Sequence, residues 1–138
     1  VEAIKEGLKD GTLDCIVTDH APHHADEKNV EYDLAAFGIS GIETSFSLSY
    51  THLVKGGVLT LGQLAERMSG APARILGLEG GALKEGGVAD IMLAALNEKY
   101  VIDSRKFVSK GKNTPFNGSE VYGRVKATIV DGKVRFSE

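Results

Sequence analysis

Leu13-Asp14-Cys15-Ile16-Val17-Thr18-Asp19-His20-Ala21-Pro22-His23 decides how the rest of the chain is read. Leu13 to Val17 is mostly apolar and does not alternate. That pattern predicts a strand covered on both faces, as in a parallel sheet wrapped by helices, with a short buried helix as the weaker alternative. Asp19 then stands at the C-terminal end of the strand with imidazoles just beyond it, the end at which parallel α/β barrels carry their chemistry. A carboxylate there can bind a divalent cation or move a proton. Pro22 stiffens the exit and limits where His23 reaches. Spacing alone leaves a plainer reading open, because an Asp after a strand also serves as a turn former or helix cap, and loop histidines are usually solvated. The chain has neither a His-x-His nor a Cys-x-x-Cys pair, so any metal here must borrow ligands.

Upstream, Val1, Ile4 and Leu8 recur at helical spacing among charges, predicting the last turns of an amphipathic helix before Asp10-Gly11. Downstream, residues 19–41 lack periodicity, and loops that long are often functional. Ser40-Gly41-Ile42-Glu43 has the spacing of a capping box ahead of a Phe46, Tyr50, Leu53 and Val54 core stripe, which makes Glu43 a capping group, with a minor role in site support left open by its closeness to the loop. Thr60-Leu61-Gly62-Gln63 repeats that spacing, and Pro72 opens a further helix that stops at Gly77. Beyond Gly77 the chain turns glycine-rich and strand-like. Asp131-Gly132 between two β-rich runs predicts a two-residue hairpin. The division falls at 1–76 and 77–138, two halves expected to pack together.

The 138 residues are 42% hydrophobic and 25% charged, as in ordinary globular proteins. A formal net charge of -3 gives no electrostatic reason to expect nucleic acid or anionic membrane as a partner. The longest apolar run, Ile91 to Leu96, is far short of the roughly 20 residues that span a bilayer. Cys15 is the single cysteine, which rules out an internal disulfide, is compatible with a reducing compartment and points to the cytoplasm. It reads as a small buried thiol. His24 and His52 read as ordinary surface or partly buried side chains. The chain opens on Val with no targeting peptide behind it, and the expectation is an incomplete chain.

Several motifs occur in order: Asp14 to His23, Ala36-Phe37-Gly38-Ile39, Gly41-Ile42-Glu43-Thr44, Asn113-Thr114-Pro115-Phe116, and Thr128 to Val134. Together they resemble the C-terminal part of bacterial-type dihydroorotases of the amidohydrolase superfamily, over essentially the whole chain. The resemblance implies an α/β protein: the C-terminal portion of a metal-dependent (β/α)8 barrel, with strand eight and flanking helices in 1–76, and part of a small β-sandwich in 77–138. It also implies reversible hydrolysis of dihydroorotate to N-carbamoyl-L-aspartate, with zinc as the metal. By position in the motifs, Asp19 would be metal ligand and general acid/base, and His23 would contact substrate. Phe37 and Gly38 would help hold the substrate carboxylate through their backbone. Ala36 stands where many relatives carry Pro.

A complete barrel takes about 250 residues, so the remaining zinc ligands are expected upstream of Val1 and the isolated chain is expected to be inactive. Open barrel edges invite self-association or a complementary N-terminal segment, and an aspartate carbamoyltransferase is a further expected partner. Two alternatives stand beside this reading: another cyclic amidohydrolase such as an allantoinase or dihydropyrimidinase, and a noncatalytic dihydroorotase-like subunit.

Overall fold

The computed structural model describes residues 1–138. Helix α1 spans Glu2–Asp10 and ends as its sequence dictates: Gly11 adopts φ 94° and its N–H returns to the Gly7 carbonyl. Only the Gly7–Leu8 side of α1 is buried, and Val1 and Ile4 stay exposed. The predicted strand over Leu13–Val17 does not form. Its backbone bonds outward run from the Leu13 N–H to the Gly7 carbonyl and from the Ile16 N–H to the Arg67 carbonyl, while Arg67 Nε donates to the Leu8 carbonyl. The reason is physical: a parallel strand is held by ladders to its neighbours, and this chain supplies no parallel neighbour beyond a single bridge between His20 and Ile39. Val17 is accordingly 75% exposed.

The loop that follows contains a one-turn helix, α2 (Ala25–Lys28). Helix α3 (Ser45–Ser49) widens into a π-helical turn at Tyr50–Val54. The expected Ser40/Glu43 capping box is absent, because Thr44 occupies the N-cap and both predicted partners face a distant segment described below. The Thr60/Gln63 box does form, with both reciprocal bonds, and opens α4 (Leu61–Ala65). A second π turn at Glu66–Gly70 leads into α5 (Ala71–Leu76), which has Pro72 in its first turn and ends on Gly77 at φ 64°.

The remainder is one antiparallel sheet in the order β1 (Ile91–Val101), β2 (Glu120–Val130), β3 (Lys133–Ser137). β1 and β2 pair from Ile91 opposite Ile129 to Val101 opposite Glu120, interrupted by two bulges. Asp131 and Gly132, at φ 50° and 70°, make the tight turn that the Asp-Gly pair predicts between β2 and β3. The chain is therefore α/β, with a three-stranded antiparallel sheet in place of any closed barrel.

The helical and sheet parts meet at Ser47, which is 2% exposed. Its hydroxyl donates to the Gly123 carbonyl and accepts from the Tyr100 hydroxyl, each at 2.8 Å. Nearby, the Tyr122 N–H donates to Thr51 Oγ1. Phe46 stacks on Tyr50, and Gly123 (φ 83°) lies so close to both rings that a Cβ there would sit 3.0–3.1 Å from them. Ser47→Ala would strand a buried carbonyl and a half-buried phenol, so it is expected to cost about 1–3 kcal/mol in chemical denaturation. Only 14 of 138 residues are buried. That is too few to close one compact core, so large apolar side chains such as Leu34, Leu76, Leu83 and Val134 remain on open faces.

Candidate functional site

The site is built where residues 19–23 run beside residues 37–42. His20 bridges Ile39, and the Ala21 N–H donates to the Ile39 carbonyl at 3.0 Å. Gly38 adopts φ 132°, and a Cβ on it would lie 2.4 Å from the Ala21 carbonyl and 3.1 Å from His23 Cδ2. Only glycine fits this crossing. The structure thus brings His23 and Gly38 side by side, with Asp19 one residue before the bridge. Asp19 is exposed and takes the left-handed conformation at φ 41°. Asp tolerates that region better than most residues because its short side chain is easily accommodated there. Phe37, 92% exposed, projects from the loop rather than packing beneath it.

The histidines divide the work. His20 Nδ1 accepts from the Gly41 and Ile42 N–H groups at 3.1 and 3.3 Å, so its proton resides on Nε2 and the ring serves to pin the loop. His24 caps α2: its Nδ1 accepts from the Asp26 N–H, and Glu27 reaches back to the His24 N–H. Glu27 also meets His23 Nδ1 at 3.2 Å, which orients the His23 ring and leaves Nε2 as its free end. Sequence reasoning missed both roles. His-x-x-x-Glu spacing from His23 to Glu27 was the available signal, but histidine is not among the preferred N-caps. Cys15 is half-buried and His52 is exposed.

The His24 N–H first, and then the His23 ring, hold the Glu27 carboxyl below the usual glutamate range. A carboxyl lowered by folding stabilises above its unfolded value and loses that contribution as acid protonates it in the folded state. The bond from the His24 N–H to Glu27 is expected to persist through mild acid and to open only below the usual glutamate range. Amide exchange at His24 against pH checks this, and Glu27→Gln is expected to abolish that transition.

A tetrahedral zinc site needs three protein donors at the least. No three His, Cys, Asp or Glu side chains of this chain come together to hold a metal ion. The arrangement fits one exposed carboxylate oxygen donor, at Asp19, and not a complete site. The arrangement sets an oriented imidazole against a glycine-lined loop, with an exposed carboxylate one residue before the bridge.

Residues 1–135 match the family model described as the amidohydrolase family. A dihydroorotase from Acetivibrio thermocellus is 55% identical over 134 residues, covering 97% of this chain and 32% of that protein. A dihydroorotase from Bacillus subtilis is 52% identical over 136 residues, covering 99% of this chain and 32% of that protein. Among solved structures, an L-hydantoinase (dihydropyrimidinase) from Arthrobacter aurescens superposes with a TM-score of 0.89 at 32% identity, over 95% of this chain and 30% of its own. A D-hydantoinase (dihydropyrimidinase) from a Thermus species gives 0.91 at 26% identity, over 99% and 31%. The chain spans about a third of the length of the curated relatives it matches. The resemblance read from the ordered motifs is borne out.

Proposed function

The chain belongs to the amidohydrolase family, and on that premise we propose that it is the C-terminal part of a dihydroorotase. The observation that carries this reading is identity of 51–55% to proteins named dihydroorotase across nearly the whole chain, against 26–32% to the two hydantoinase structures. Residues 1–76 complete a (β/α)8 barrel whose other strands lie upstream, which supplies the parallel neighbours that Leu13–Val17 lacks. Residues 77–138 form part of the β-sandwich. The open apolar faces are covered by that upstream portion or by a second copy, and an aspartate carbamoyltransferase is a further partner. The protein works in the cytoplasm on a small anionic substrate, not on nucleic acid or membrane; no helix is long and apolar enough to cross a bilayer.

Asp19 would be one ligand of a zinc ion whose other ligands lie outside this chain. Bound zinc supplies Lewis-acid activation, which brings water's ionisation close to neutral pH. Asp19 takes the proton of the attacking water on a carboxylate oxygen and passes it to the departing ring nitrogen. Ring closure runs the transfer backwards. With Nδ1 donating to Glu27, His23 donates from Nε2 to the substrate carboxylate as an imidazolium, the form in which both ring nitrogens are donors. The backbone of Phe37 and Gly38 closes around the same carboxylate and orients the ring.

Because the solved structures cited above include dihydropyrimidinases, a second reading is hydrolysis of an uncharged cyclic amide. Turnover by the full-length protein separates the two. Dihydroorotate is expected to exceed hydantoin and allantoin in kcat/KM by about 10²-fold or more, since a site built for a carboxylate leaves polar groups unpaired when that group is missing. Equal or better turnover of hydantoin or allantoin overturns the dihydroorotase reading.

A further inference from the structure

Phe37 is almost fully exposed, so packing does not hold the loop that carries it. Its two flanking carbonyls are held instead. Lys28 Nζ donates to the Ala36 carbonyl at 2.5 Å and to the Gly38 carbonyl at 3.2 Å, straddling Phe37, while the Ala36 N–H donates to the Glu27 carbonyl. The Gly38 carbonyl accepts a second side-chain donor, Asn113 Nδ2, at 3.4 Å. Asn113 comes from the far half of the chain. The Ser40 N–H donates to the Asn113 carbonyl, and Ser40 Oγ donates to the Gly111 carbonyl. The Glu43 carboxylate receives the Val108 and Ser109 N–H groups at 2.9 and 3.0 Å. Residues 108–113 are thereby strapped along residues 38–43. This gives physical content to two motifs, Gly41–Thr44 and Asn113–Phe116, that the chemistry at Asp19 does not use.

We propose that Lys28 and Asn113 are positioning residues that lock the Phe37–Gly38 loop in its substrate-holding conformation, one donor from each half of the chain. The inference rests on the reading of that loop as the carboxylate grip. An ammonium suits the task because one nitrogen offers three donors and can satisfy two carbonyls at once. A guanidinium offers several donors in a planar fork and can replace it in part. Neither residue touches the reacting atoms, so losing one weakens binding more than chemistry.

The test compares Lys28→Met, Lys28→Arg and Asn113→Ala in the full-length protein, with Lys133→Met on the exposed β3 as control. Lys28→Met is expected to raise KM for dihydroorotate about 10-fold with kcat within about twofold, and Asn113→Ala to raise KM about threefold. Lys28→Arg is expected to recover most of the loss, and Lys133→Met to leave both constants unchanged. In the full-length protein, Lys28→Met is also expected to speed exchange of the Ala36 amide about 10-fold. Unchanged KM in Lys28→Met, or Lys28→Arg no better than Lys28→Met, overturns the proposal. If Lys28→Met fails to fold, the KM of Asn113→Ala decides. Should the full-length protein not act on dihydroorotate, the functional reading fails, and exchange at Ala36 still decides whether Lys28 holds the loop.

Discussion

Asp19→Asn in the full-length protein is expected to lower kcat for dihydroorotate by about 10²–10⁴-fold, the contribution typical of a positioned acid/base group. The substitution is well matched to its site. Asn tolerates the left-handed conformation at φ 41° as readily as Asp, so the backbone is not strained. The side chain is exposed, so little packing is lost. What disappears is the negative charge and the basic oxygen. Thermal unfolding of the zinc-free wild type and variant is expected to agree within a degree or two, while turnover of the zinc-loaded proteins differs by orders of magnitude. A kcat within tenfold of wild type would remove Asp19 from the chemistry.

Gly38→Ala carries the second-largest expected effect, and it acts on binding. A methyl group at Gly38 would meet the Ala21 carbonyl at 2.4 Å and the Ala21 Cβ at 2.8 Å, on a backbone at φ 132° that L-residues rarely adopt. Neither obstacle is the far end of a flexible side chain, so the loop must part from residues 20–23. That movement pulls on the hydrogen bond from the Ala21 N–H to Ile39 and unseats His23 from beside the loop. Strain of this kind costs about 1–3 kcal/mol, which corresponds to roughly a 5- to 150-fold loss in kcat/KM for dihydroorotate. The loss is expected to reside mainly in KM. Full retention of KM would mean that the Phe37–Gly38 loop does not hold the substrate.

Local signals in the sequence were reliable where the partners were local. Gly11 and Gly77 end their helices in the left-handed conformation, Thr60 and Gln63 cap each other, and Asp131-Gly132 turns the hairpin. Each of these is decided within a few residues, by sterics or by one or two short-range hydrogen bonds. Leu13–Val17 failed as a strand because hydrophobicity can nominate a buried strand but cannot supply the neighbours that hydrogen-bond to it. Ser40 and Glu43 have cap spacing, yet their side chains bond 65 to 71 residues away, to backbone groups of the 108–113 strap. No periodicity encodes such a contact.

The candidate site divides in the same way. Asp19, His23, Phe37 and Gly38 were nominated by the order in which the motifs occur. Glu27, Lys28 and Asn113 were not, since they act through a ring nitrogen or backbone carbonyls that become partners only once the loop has folded. The π turns at Tyr50–Val54 and Glu66–Gly70 left no sequence mark either, because an apolar stripe tolerates one wide turn without changing its residues.

The most direct test of the central claim is zinc-dependent hydrolysis of dihydroorotate, measured on the full-length protein and on the verified 138-residue chain under the same conditions. The account predicts turnover by the full-length protein, its loss on removing zinc, and none from the isolated chain, which carries one metal ligand of a set. Turnover by the isolated chain would contradict it, as would a full-length protein that hydrolyses dihydroorotate equally well with its zinc removed.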